Sequence, residues 1–571
     1  MDAETKNCQN CKQDFRIDPE DFDFYKKIDV PPPTFCPECR FYRRMSWRNE
    51  WHVFKKRDTH TGKEVFSLFP EESPVKIYEK EYWLSDAWDP MSYGRDYDFS
   101  RSFFDQYRDL YHAVPIPAHS ILNLVNCEYC ANATDLKNCY LVRAATKTED
   151  SAYLIWDHAS KFCFDSHMTT RCELGYGNQN AANCYKTFFS VDCDDCQEVT
   201  LCMDCVGCNN CFGSFGLRNK SYYIFNEPYS KKEYLRKLAE LNLGSRRSFS
   251  ELQEKVYAHW KKYPHKFMHG RQNTNVSGDY IYNSKNAKQC YRVRDAEDVK
   301  FCQNILQGTA KDCYDYNNWG QNSELMYEAL ICGNGGNRIR FSYNTWPSVR
   351  DLEYCVFCQN SSDLFGCVSV RNKQYCILNR QYPKEEYFAL RKKIIEQMSS
   401  MPFVSKSGQV YSYGEFFPPE FAPIPYQTSF AYEFAPLSDE EAAQRGFSAY
   451  LVNKQTYRIT LKAAQIPDDI KEAENGIINE VIECAHEGKC QHECVNAFRI
   501  IDRELEFCKR MNLPLPRLCP NCRHYARLVF RTPPQMWGRE CMKCDKAIQT
   551  SYSPDRPEIV YCEQCYNAEV V

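Results

Sequence analysis

The chain has 571 residues, 43% of them hydrophobic and 26% charged, with a formal charge of −4. This excludes a disordered charged tail and gives no global attraction to nucleic acid. No run approaches the roughly 18 apolar residues of a membrane span, and the start, Met1 to Cys8, lacks the basic-then-apolar pattern of a secretory signal. Without that signal, 34 cysteines argue for metal ahead of disulfides.

The cysteines divide the chain into four at 8–39, twenty at 127–376 and ten at 484–565. The expected fold is multidomain and mainly β. Two treble-clef or zinc-ribbon modules flank a duplicated β-solenoid-like centre, with helical connectors.

The N-terminal module, residues 1–85, opens with Cys8-x2-Cys11 and Cys36-x2-Cys39. Short loops let paired thiolates converge, and four sulfurs make the closed tetrahedral set that suits Zn²⁺. A closed site has no open position for water, so the metal is structural. After the second pair comes a stretch, 40–57, with seven basic residues against one acidic and five aromatics among them. Arg40, Arg43, Arg44, Arg48, Lys55, Lys56 and Arg57 supply charge for phosphates, and Trp47 a ring for an unpaired base. They are the candidate surface for RNA or single-stranded DNA. The competing reading is a helix face whose arginines pair with acids such as those at 18–23.

Residues 86–120 read as a linker, and 121–226 as the first solenoid-like lobe. Short aromatic phrases such as Asn138-Cys139-Tyr140 and Asn183-Cys184-Tyr185 recur, and Cys139, Cys163, Cys184 and Cys205 are spaced by 24, 21 and 21. Rungs with a period near 21 are expected. Cysteines also fall at 193, 196, 202, 205, 208 and 211, a three-residue beat broken only by Val199. They read first as small buried hydrophobes. Cys202, Cys205, Cys208 and Cys211 otherwise offer a fourth zinc site, and an iron–sulfur cluster is the third reading.

A basic helical connector, 227–270, leads to a second lobe, 271–379. Between 202–234 and the stretch 153 residues later, 14 of 33 positions agree. A helix and proline-rich linker, 380–483, precedes the C-terminal double zinc module, 484–571. That module matches the N-terminal one at a shift of 483, with 15 of 38 positions identical from residue 11 to 48. It supplies Cys490, Cys494, Cys519 and Cys522, then Cys541, Cys544, Cys562 and Cys565. The N-terminal positions matching the last four are Asp58, Thr61, Glu79 and Tyr82, which keep the frame without the metal. Three zinc ions per chain are expected.

The phrases Cys36-Pro37-Glu38-Cys39-Arg40, Trp88-Asp89-Pro90, Tyr93 to Arg101, Leu217-Arg218-Asn219-Lys220 and Ser553 to Tyr566 resemble an uncharacterised family of large cysteine-rich zinc-binding proteins. That family is common in reduced-genome candidate-phylum bacteria. The resemblance covers most of the chain and implies zinc and a cytoplasmic setting, but no mechanism. The chain shows no Walker A loop, Gly-x-Ser-x-Gly elbow or His-Glu-x-x-His pair. No catalytic residue is assigned. The expected function is a cytoplasmic, non-enzymatic, zinc-stabilised scaffold that binds RNA or single-stranded DNA. A protein–protein scaffold is the first alternative and an iron–sulfur redox protein the second.

Overall fold

A three-residue beat builds the centre of the molecule. In the computed structural model, which describes residues 2–306, 308–448 and 457–570, Glu128 pairs in parallel with Tyr140, Tyr140 with Ala152 and Ala152 with Phe164. Each step is 12 residues, so one turn of the β-solenoid is four sides of three. Asn138 takes a left-handed corner at φ 54, Cys139 points inward at 2% exposure, and Tyr140 lies outside against Tyr129 and Tyr153. Left-handed corners favour Asn and Asp, and their amides form ladders, as in Asn126 to Asn138 to Asp150 at 2.8 Å each. The expected 21-residue period is therefore replaced by 12. The cysteine gaps of 24 and 21 are multiples of three, because every third residue faces the axis.

The second lobe opens on an 11-residue step, Gly270 to Ile281, takes the 12-residue step from Gly278 to Cys290, and then lengthens. Tyr314 pairs with Tyr327, Tyr327 with Arg340 and Arg340 with Glu353, 13 residues each, before 12-residue steps return from Glu353 to Phe365 and Ile377. Both lobes end in a hairpin, Ile224 with Glu227 and Ile377 with Arg380. A helix follows each, Lys231–Glu240 and Lys384–Ser400. The starts of these helices differ by 153 residues, the shift found in the sequence.

Each lobe carries a helix and a cysteine module. Phe103 of helix Phe103–Ala113 packs on Gly366, and Val256 of helix Arg246–Trp260 packs on Gly213. Both glycines have φ near +65, and a Cβ there would stand 3.0 Å from the packed side chain. The N-terminal module docks on the second lobe: Phe24 stacks on Tyr314 at 3.9 Å, and Arg40 and Arg44 bind Asp315. The C-terminal module docks on the first, where Phe507 lies 4.9 Å from Phe164 and Arg523 and Arg527 flank Asp165. Counting five ladder steps back from the two end hairpins makes Tyr314 and Phe164 counterparts. The modules therefore use matching places and cross over the chain to reach them.

This docking corrects the reading of 40–57. Arg44 and Trp47 are 0% exposed, and Arg40, Arg43, Arg48 and Lys56 are also buried. Arg43 and Arg44 bind Glu328 at 2.5 and 3.0 Å, Arg43 also reaches Glu415 at 3.0 Å, and Arg48 pairs with Glu50. Lys56 donates to the carbonyls of Pro70, Glu71 and Ser73. Only Lys55 and Arg57 stay at the surface, beside Glu64 and Glu71. Arg40, Arg43, Arg44, Trp47, Arg48 and Lys56 are thus part of an internal interface.

Two expected linkers are core. Residues 86–120 bury Phe103, Phe104, Tyr107 and Leu110, and the proline-rich stretch buries Phe416, Phe417, Phe421 and Tyr426. Beyond it lie helix Asp439–Gln444 and short 3-10 turns, while 449–456 lie outside the described residues. Among the described residues no helix is long and apolar enough to cross a membrane.

Candidate metal centres

The first centre is built by a hairpin and a helix start. Strands Glu4–Asn7 and Asp14–Ile17 pair antiparallel and present Cys8 and Cys11, and Cys36 caps helix Pro37–Met45, which brings Cys39 round. The Cys36 amide donates to Cys8 Sγ at 3.2 Å, and Asn10 Nδ2 donates to Cys39 Sγ at 3.3 Å. Cys11 Sγ and Cys36 Sγ are 3.7 Å apart. A tetrahedral site with bonds of about 2.3 Å has edges of roughly 3.8 Å, against about 2.05 Å for a disulfide. All four sulfurs lie within 4.8 Å of one another. Hydrogen bonds from Cys36 and Cys39 draw the Cys8 thiol well below its ordinary range, toward the thiolate a metal needs.

The last centre repeats this design. Hairpin Trp537–Glu540 with Ala547–Thr550 presents Cys541 and Cys544, and Cys562 and Cys565 stand at helix Glu563–Val570. Cys544 and Cys562 sulfurs are 3.8 Å apart, and the Cys562 amide donates to Cys541 Sγ at 3.2 Å. In the N-terminal module, 483 residues earlier, Asp58 takes the place of Cys541. Its buried carboxylate accepts from the amides of Glu79 at 2.7 Å and Thr61 at 2.6 Å. A carboxylate-capped turn stands where the C-terminal module has sulfur.

The middle centre differs from the sequence reading. Cys494, Cys519 and Cys522 come together with Cys484, not with Cys490. Cys484 follows strand Ile482–Glu483, which pairs with Ala497–Phe498, and accepts from the Cys519 amide at 3.2 Å, as Cys8 does from Cys36. The sequence signal was a cysteine directly after a strand. It stands ten residues before Cys494, beyond the usual knuckle spacing. Cys490 lies on the other side of Cys522, 3.5 Å between sulfurs, in a group with His486 and His492.

Cys202, Cys205, Cys208 and Cys211 form no such group among the described residues. They occupy four successive sides of the solenoid, buried in one column with Cys193, Cys196 and Val199. Each sulfur bonds to backbone carbonyls instead, as Cys208 does to Val206 at 3.5 Å and Leu217 at 3.3 Å. All 34 cysteines are free of disulfides. No protein-family model and no curated protein matches the chain.

Proposed function

We propose that the chain is a non-enzymatic, zinc-stabilised scaffold for protein partners, and that an extended partner segment adds to the open first rung of the solenoid. The observation that carries this is strand Ile121–Val125. Among the described residues it pairs only with Ala133–Lys137, and it exposes Leu122 at 52% and Val125 at 61%. An edge strand with apolar side chains is a template for an added strand, although Lys80 Nζ already donates to the Ile121 carbonyl. Three soft four-sulfur sets suit zinc, and so many free thiols suit a reducing, cytoplasmic setting. The hairpin, knuckle and helix order at both ends supports duplicated treble-clef modules.

Nucleic acid as the partner loses the residues that carried it, since Arg40, Arg43, Arg44 and Trp47 are spent on internal contacts. The experiment is retention of partner by wild type and by Leu122→Lys/Val125→Lys of equal zinc content, each with and without nuclease. Loss on double substitution and indifference to nuclease is the expected result. Retention that survives the substitutions would overturn the strand-edge site, and retention abolished by nuclease would restore the nucleic-acid reading.

A further inference from the structure

The C-terminal module has a longer first loop than its N-terminal counterpart. Cys8 and Cys11 are three residues apart, whereas Cys484 and Cys494 are ten apart, an excess of seven. The enlarged loop carries His486, Cys490 and His492, three metal-ligating side chains absent from the loop between Cys8 and Cys11. All three gather on Cys522, with the four ligand atoms within 4.8 Å of one another.

We infer that this loop holds a fourth metal ion, bound by His486, Cys490, His492 and Cys522, with Cys522 Sγ bridging to the ion of Cys484, Cys494 and Cys519. Three independent features support it. The Cys490 to Cys522 sulfur distance of 3.5 Å is close to a tetrahedral edge. The Nδ1 atoms of His486 and His492 are both buried without a hydrogen-bond partner among the described residues, and a metal bond satisfies each. In the N-terminal module the Asn10 amide occupies the free side of Cys39, whereas Cys522 presents that side to the new group. Two sulfurs and two imidazoles suit a borderline divalent ion such as zinc. Five thiolates around two such ions also leave less excess negative charge than four around one.

The ion would fix the loop where the two end modules meet. Glu493 accepts from Asn521 through its carbonyl at 2.8 Å and faces His52 of the N-terminal module at 3.2 Å. The ring of His492 stacks on Tyr525 at 5.5 Å.

This rests on the zinc reading of the other three sites, and the test separates the two. Elemental analysis of the full chain, purified under reducing conditions, is expected to give four zinc ions in wild type and three in His486→Ala/His492→Ala. Cys8→Ser serves as a control that loses a different ion. Equal counts in wild type and the histidine variant would overturn the fourth site, whatever the total. A wild-type count below three, or no loss in Cys8→Ser, would instead overturn the three-site reading. Should the histidine variant not fold, cadmium-113 NMR of cadmium-loaded wild type decides. Two resonances with scalar coupling through a shared sulfur support the bridge, and uncoupled resonances overturn it.

Discussion

Asp315 is fully buried between two guanidiniums, Arg40 at 2.7 Å and Arg44 at 3.0 Å. Burial opposes the charge on Arg40, but Asp315 holds its pKa well above the ordinary value. Removing one partner from such a group strands the others, so Asp315→Ala should destabilise the chain by about 3–5 kcal/mol in denaturant unfolding. Asp58→Ala should remove about 1–3 kcal/mol, because two backbone amides lose a charged acceptor, with no change in metal content. His269 sets a pH dependence. Burial pulls its pKa down, but the Asp279 carboxylate at 3.0 Å outweighs this and lifts it from 6.5 to about 9. A raised pKa stabilises the fold fully below pH 6.5 and loses that contribution as the pH climbs through 9. The thermal midpoint should fall across that window in wild type and stay flatter in His269→Gln. An equal fall in the variant would remove His269 as the cause. The arginines were legible as basic residues among aromatics, yet the acids that meet Arg40, Arg43 and Arg44 lie 271 to 372 residues further along the chain. No local pattern distinguishes a phosphate-binding face from such an interface.

At the level of elements, the solenoid turn explains why cysteine is so frequent in the centre. An axis reached by one residue on each of four sides is narrow, and cysteine is its commonest residue, beside Ala, Val, Leu and Ile. Replacing Cys202, Cys205, Cys208 and Cys211 by Ala should therefore leave the metal count unchanged and the protein colourless. Replacing Cys205 alone by Phe should cost about 1–3 kcal/mol or more through overpacking, read as a lower unfolding midpoint. The repeat itself was legible and its period was not. A three-residue beat in which only some positions are cysteine shows gaps of 24 and 21, and neither reveals the turn. The helical connector at 227–270 was legible, and its first helix starts at a local signal, the capping box of Ser230 and Glu233. Helix Phe103–Ala113 was missed inside a supposed linker, although Ser102 caps it by accepting from the Asp105 amide.

In the whole molecule the two end modules exchange lobes and meet each other. Trp51 stacks on His524 at 4.6 Å, and Glu433 of the proline-rich segment clamps His524 and Arg531. Against burial, the Arg531 charge and the hydrogen bond to His524 hold Glu433 down at about 2. The crossing has a consequence for synthesis. Arg40 must wait for Asp315, 275 residues later. At about 5–20 residues per second that is about 14–55 s of translation. Through this interval the emerging N-terminal module has no lobe to rest on, and its arginines face the ribosome's surroundings bare. Its four sulfurs are complete once Cys39 emerges, so a metal can close the module long before its docking surface exists. The C-terminal module has the opposite schedule, since Asp165 is in place well before Arg523 is made. A zinc-starved cell should thus lose the nascent N-terminal half first, to proteolysis or to non-native pairing, while lobes already made await partners that never dock.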